Sequence, residues 1–394
     1  MAEQQQVSVA VIGAGMAGRS HAAGYRQVNT VFGVGLPPVR LAAIADANTA
    51  LGEDAARRYG FEKAVSSWEA VAEDPTIDAV SIVVGNALHR PIAEALAAAG
   101  KHVLCEKPLA GSMEDARAMV ELERTADVVT AVGYTFRRSP AIAAIRDHVQ
   151  GGELGELSVF HGRYWCDYAC DSRSPLSWRF KGGPGSGALG DVGSHVIDAA
   201  EYVCGPIVSV SGASLSTQIS KRPLPLGAVV GHTAAPVSDE LGEVDNEDSA
   251  TFTARFASGL VGSLSASRTA FGMPNGLGFD VYGLSGRASY DQHRPAEYTF
   301  DDAQPEARTR GARQVIVGPQ MPYFAGGYPM EAPGVGAGNA EWFTYQTRAF
   351  LDQVTGVADP LPPCASFAEA LHTMEIIQAI VRSAQAGGAP VDVP

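Results

Sequence analysis

Three small groups of residues in this 394-residue chain have types and spacings that suit chemistry. The stretch ALGDVGSHVID, residues 188–198, sets Asp191 and His195 four positions apart behind a run of glycines. If the segment is helical from about Asp191, the two are neighbours on one face. Histidine titrates near neutrality and can take a proton from a hydroxyl, while a nearby carboxylate orients the ring and stabilises its charged form. A plainer alternative makes Asp191 a helix cap and His195 a hydrogen-bonded core residue. Farther upstream, Glu106, Lys107 and Pro108 follow the apolar run HVLC. A lysine at the carboxyl end of a parallel strand can hydrogen-bond a substrate hydroxyl and stabilise a developing alkoxide, or it can be a surface residue that merely closes the strand.

The third group is GAGMAG, where Gly13, Gly15 and Gly18 give GxGxxG between an apolar run and a helical pattern. The backbone amides of Gly13, Gly15, Met16, Ala17 and Gly18, with the helix dipole, can hold a pyrophosphate there. Asp46 ends the next apolar run, where a carboxylate can take both hydroxyls of an adenosine ribose and repel a 2′-phosphate; NAD is expected rather than NADP. Gly18 and Asp46 lie 28 positions apart. That exceeds the usual spacing of about 20 by the insert NTVFGVGLPP. The alternative is a glycine turn that packs helix on strand, with Asp46 as a helix cap.

Elements that would carry these groups can be read from the pattern. Short β-rich runs alternate with helical stretches over the first hundred residues, as in βαβ units of a parallel sheet. Strands are expected at 7–12, 39–45, 77–84, 102–106 and 128–132, and helices at about 16–28 and 51–59, the second closed by Gly60. Further helices open near Pro91, at the Ser112/Asp115 capping pattern, and at Ser139 and Pro140. From 157 to 300 the runs have period two, with hairpins turned at Ser258-Gly259 and Ser285-Gly286. Stretches 220–243 and 303–338, rich in Gly and Pro, read as long loops, and Phe367 to Ala384 as a final helix. The domain boundary falls near residue 135.

Composition bounds the class. With 46% hydrophobic and 18% charged residues the chain is a packed globular protein. A net charge of −14 repels phosphate backbones and anionic membranes, so no nucleic acid and no membrane partner is expected. No membrane-length apolar run and no basic leader are found, which points to the cytoplasm. The five cysteines are too scattered for a disulfide framework, and the spacing of Cys166 and Cys170 without a second pair predicts no metal site.

GAGMAG, Asp46, EKPLA, YTFRRSPA and SWRFKGGPGSGALGDVGSHVID, in this order, resemble the Gfo/Idh/MocA family of nicotinamide-dependent sugar and cyclitol oxidoreductases. The resemblance spans the chain. It implies an α/β fold: an N-terminal Rossmann domain (1–135) with a doubly wound parallel sheet, then a C-terminal α/β domain (136–394) whose open, mostly antiparallel sheet binds substrate and makes a homodimer or homotetramer. It implies that Lys107, Asp191 and His195 are catalytic, with His195 taking the proton of a secondary carbinol, Lys107 polarising its oxygen and Asp191 positioning His195 or the substrate. Glu106, Asn86, His89, Trp178 and Arg179 would join the glycine loop and Asp46 around NAD. Val84 and Gly85 replace the family's usual Thr-Pro, and Thr135 and Phe136 its Asn-Tyr pair.

The run YWCDYACDSRSPLSWRF is similar to the pocket loop of the inositol and levoglucosan dehydrogenase branch. Thr135, Tyr164 and Asp167 are accordingly expected at the substrate, since polar groups suit a polyol and rings a sugar face, although Tyr164 and Trp165 also read as core residues of a strand. The expected function is oxidation of a cyclitol, monosaccharide or anhydrosugar. Two alternatives are a glycoside-cleaving member that uses NAD without net redox and a non-enzymatic NAD-binding sensor.

Overall fold

The computed structural model describes residues 6–31, 35–227, 229, 235–302, 311–323, 332–358 and 360–394. Two compact units emerge: Met1–Ser139 with Gly318–Leu371, and Pro140–Val317 with His372–Pro394. The first contains β1 (Val7–Ile12), α1 (Met16–Val31), β2 (Val39–Ala45), α2 (Thr49–Tyr59), β3 (Lys63–Val65), α3 (Glu69–Ala72), β4 (Ala79–Ile82), α4 (His89–Ala98), β5 (His102–Cys105), α5 (Met113–Thr125) and β6 (Thr130–Val132). All six strands are parallel, in the order β3-β2-β1-β4-β5-β6. This is the doubly wound sheet expected, and its order reverses between β1 and β4, opening a crevice at the strands' carboxyl ends. Buried on both faces, β1 and β4 are apolar along their length apart from Ser8 and Ser81.

Caps set the helix ends. The Asn48 side chain accepts from the Leu51 amide to start α2, and Gly60 in the left-handed region stops it, while the Ser112 hydroxyl accepts from the Asp115 amide to start α5.

The second unit contains α6 (Pro140–Gln150), β7 (Leu157–Trp165), α7 (Ser194–Cys204), β8 (Ile207–Ser216), β9 (Lys221–Pro225), β10 (Val237–Glu243), β11 (Ser249–Phe256), β12 (Val261–Ser267), β13 (Gly276–Gly283), β14 (Gly286–Asp291), β15 (Glu297–Asp302) and β16 (Arg313–Ile316). Among the described residues nine strands order as β16-β15-β14-β13-β7-β12-β11-β8-β17, with β17 (Val391–Asp392) at one edge, and of these pairs only β7 and β12 are parallel. Period two holds as read. Ala250, Phe252, Ala254 and Phe256 of β11 point inward with Leu264 and Ala266 of β12. There Phe160 stacks on Phe279 at 5.7 Å and meets Phe256 edge-on at 6.0 Å. Burying each such ring contributes roughly 1.5–3 kcal/mol.

Three expectations need correction. Residues 220–243 are not simply loop: β9 and β10 pair antiparallel, with 228 and 230–234 between them outside the described residues. A polar anchor masks the strand in the sequence: Arg222 is fully buried, its guanidinium 4.0 Å above the Phe180 ring. Within 303–338, β16 adds a strand to the main sheet, while 303–310 and 324–331 lie outside the described residues. The second domain, read as unbroken from 136 to the end, is interrupted. Helix α8 (Asn339–Thr355) returns to the first unit and adds Ala349, Phe350 and Leu351 to the core around Val9, Val11 and Tyr25. The last helix, α9, is Phe367–Gln385. None of the described helices is long and apolar enough to cross a membrane.

Candidate active site

In the first unit the expected residues converge on the carboxyl edge of the parallel sheet. Gly13 adopts φ +107°, and a Cβ there would sit 2.0 Å from the Val83 carbonyl oxygen. At Gly18 a Cβ would lie 1.9 Å from the Gly13 oxygen. Gly15 differs: its Cβ would meet nothing within 4 Å, so the backbone stays open to a ligand at the α1 N-terminus, beside the exposed Met16 and half-exposed Ala17. Two glycines thus close the packing and the third leaves an anion cradle, as a pyrophosphate requires.

Asp46 ties β2 to that loop. Its Oδ2 accepts from the Ala14 amide at 2.7 Å and its Oδ1 from the Asn48 amide at 2.8 Å, which fixes the carboxylate and leaves each oxygen a further lone pair. Asn86 is half-buried in a single 3₁₀ turn after β4. His89, expected along the cofactor path, is wholly buried: Nδ1 faces the Pro108 and Leu109 carbonyls at 3.1 and 3.2 Å and Nε2 the Val84 carbonyl at 3.1 Å. It shapes the loops after β4 and β5 from behind, and burial holds its pKa below the usual histidine value. Glu106 and Lys107 end β5 half-buried, the Lys107–Pro108 peptide is cis, and Thr135 is buried in a 3₁₀ turn after β6.

Within the second unit Asp191 and His195 share one stretch of helix, with a local difference from the reading. Leu189–Gly193 is a π-helical turn, and α7 begins only at Ser194. Such turns are uncommon and frequent at functional sites. Asp191 accepts from the Tyr168 hydroxyl at 2.8 Å, and the Tyr164 ring lies 5.8 Å from the His195 ring. Burial, reinforced by the Asp191 charge, pushes both tyrosine hydroxyls well above their ordinary pKa, so each stays a proton donor near neutrality. Tyr164 is a strand residue, as one of its two readings had it, and also touches the histidine. Asp167 is half-buried just before Tyr168. Trp178 is exposed, with the Arg179 guanidinium 4.4 Å from its ring.

Three consecutive residues that the sequence did not single out hold this constellation. Asn246 donates to the Arg179 and Lys181 carbonyls. Glu247, only 2% exposed, accepts from the Gly185 amide at 2.8 Å and the Leu189 amide at 2.9 Å, clamping the start of the π turn. Asp248 pairs with the buried Arg268 at 2.8 Å, and Arg268 in turn donates to the Arg179 carbonyl. In sequence, VDNED looks like a solvated acidic turn; only its position at the entry to β11 hints otherwise.

Two family models match this chain: "Oxidoreductase family, NAD-binding Rossmann fold" over residues 7–134 and "GFO/IDH/MocA C-terminal domain" over 142–289. A levoglucosan dehydrogenase of Pseudarthrobacter phenanthrenivorans is 38% identical over 393 residues, 99% of each chain. The chain belongs to the Gfo/Idh/MocA oxidoreductase family. This oxidoreductase is also 31% identical to a scyllo-inositol 2-dehydrogenase (NAD(+)) of Bacillus subtilis over 68% of each chain. Among solved structures it superimposes on a levoglucosan dehydrogenase in complex with NADH with a TM-score of 0.89 at 36% identity, covering 99% of this chain and 100% of that one. The open Gly15 cradle and the anchored Asp46 fit the NAD that the family binds, and this member is an NAD-dependent dehydrogenase.

Proposed function

We propose that this oxidoreductase oxidises one secondary hydroxyl of a sugar or cyclitol to a ketone, with the anhydrosugar levoglucosan its foremost substrate. The observation that carries the reading is the Asp191–His195 pair on one helical turn, with Tyr168 donating to Asp191, in a chain 38% identical throughout to a levoglucosan dehydrogenase. His195 takes the hydroxyl proton as the carbonyl forms. Asp191, oriented by Tyr168, steadies the imidazolium that results, and Lys107 donates a hydrogen bond to the oxygen, stabilising its developing negative charge. The glycine loop and Asp46 would hold NAD, which would supply the hydride acceptor for the carbinol carbon. Asp46 holds the adenosine ribose, with Asn86, Glu106, Trp178 and Arg179 as further cofactor contacts, and Thr135, Tyr164 and Asp167 face the substrate.

The test is the near-ultraviolet absorbance of NADH, followed with NAD and levoglucosan, myo-inositol, scyllo-inositol, glucose or xylose. A rise with levoglucosan supports the proposal. A flat trace with all five, while NAD still raises the melting temperature, overturns it in favour of chemistry without net redox. His195→Ala is expected to lower kcat by about 10²- to 10⁴-fold with NAD binding intact.

We further propose that the free face of the nine-stranded sheet makes the contact of a homodimer or homotetramer. Helices α6 and α7 pack against this sheet. Val159 and Val261, cross-strand neighbours on β7 and β12, are 50% and 39% exposed.

A further inference from the structure

Four side chains of the first unit form a hydrogen-bonded chain of which the reaction scheme uses only the outer end, Glu106. His21 and Tyr25, one turn apart on α1, both meet Ser81 of β4: Tyr25 Oη lies 2.8 Å and His21 Nδ1 3.0 Å from the serine oxygen. The second ring nitrogen, His21 Nε2, lies 3.0 Å from Glu106 Oε1. His21 and Ser81 are fully buried and Tyr25 is 1% exposed. One assignment of protons serves every atom. Burial holds the proton on Tyr25, which donates to Ser81; Ser81 donates to Nδ1; and the Nε2 N–H donates to the Glu106 carboxylate.

Glu106 is thereby oriented on both oxygens, because Oε2 accepts from the Lys107 amide at 3.2 Å. The space around the carboxylate is kept clear by Gly133, where a Cβ would lie 2.7 Å from Oε1. The inner end of the chain is Tyr25, within the apolar core, not solvent. A proton entering there has no exit. The consequence of the chain is therefore orientation, not proton transfer.

We propose that His21 is a positioning residue for Lys107. By holding the Glu106 carboxylate it fixes the Lys107 peptide, and so couples the helix that carries the glycine loop to the turn that carries the lysine. The inference rests on the reading of Lys107 as the group that polarises the hydroxyl. It extends the glycine motif three residues, to GAGMAGRSH, with a histidine whose work is done at another strand.

Glutamine and asparagine at position 21 separate the contacts. Glutamine carries an N–H donor about as far out as Nε2 and can reach Glu106, whereas asparagine reaches only Ser81. With levoglucosan and NAD, His21→Asn is expected to lower kcat about tenfold or more, with KM for the sugar and Kd for NAD little changed, and His21→Gln to restore most of kcat. Wild-type kcat in His21→Asn, or an equal loss in His21→Gln, overturns the proposal. Should His21→Asn fail to fold, Glu106→Gln carries the test from the outer end: a lower kcat at unchanged melting temperature and unchanged Kd for NAD supports it, and an unchanged kcat, or a loss that comes with weaker NAD binding, overturns it. Lys107→Ala run alongside separates the two readings. If that variant keeps its turnover, the role of Lys107 falls, and the positioning proposal with it.

Discussion

At Gly15 and Gly18 one motif contains two different physical demands. A methyl group at Gly18 would press on the Gly13 carbonyl at 1.9 Å, while one at Gly15 would meet open space. Gly18→Ala is therefore expected to lower the melting temperature of the free protein by an amount matching about 1–3 kcal/mol. Gly15→Ala is expected to leave it unchanged yet weaken NAD, as calorimetric titration can show. Asp46 combines structure and selectivity in the same way, since its carboxylate already accepts from Ala14 and Asn48. Asp46→Ala is expected to weaken NAD and narrow the preference over NADP, because the repulsion of a 2′-phosphate is gone. The ratio of kcat/KM for the two cofactors measures it.

The π turn at Leu189–Gly193 is an element held from outside. Its first amide and that of Gly185 both donate to Glu247. Glutamine at 247 would turn an amide group toward one of these donors and leave a buried N–H without an acceptor, at a cost of about 1–3 kcal/mol. Glu247→Gln is expected to lower the melting temperature and, because the turn carries Asp191, to lower kcat as well. A variant with unchanged melting temperature and activity would contradict this account of the clamp.

For the whole molecule, pH enters through contacts that tie elements together. His372 of α9 pairs with Glu201 of α7 at 3.0 Å, and that hydrogen bond, with the negative charge behind it, raises the histidine pKa despite burial. Folding then favours the protonated ring. The stabilisation is fully present below the ordinary histidine value of about 6.5 and is lost as pH rises through the raised one. Thermal melts across that interval are expected to decline less steeply for His372→Gln than for wild type. The proposed subunit contact is checked by light scattering: a mass of one chain excludes it, and charged residues at Val159 and Val261 are expected to dissociate an oligomer.

Local periodicity and turn chemistry determined much of this protein in sequence. The bounds of β1 and β2, the Gly60 stop and the hairpin between β11 and β12 all follow from interactions between residues near in the chain. The glycine motif, Asp46, Lys107 and the Asp191–His195 spacing stand out in the sequence as candidates for the same reason, because each is a short pattern with its own chemistry. What only the tertiary structure decided involves partners far apart. The return of α8 to the first unit, the clamp of Glu247 on a turn some sixty residues earlier, and the reach of His21 across β4 to Glu106 leave no periodic trace. A buried polar side chain is satisfied by whichever donor or acceptor the fold brings near, and its sequence neighbours do not name that partner.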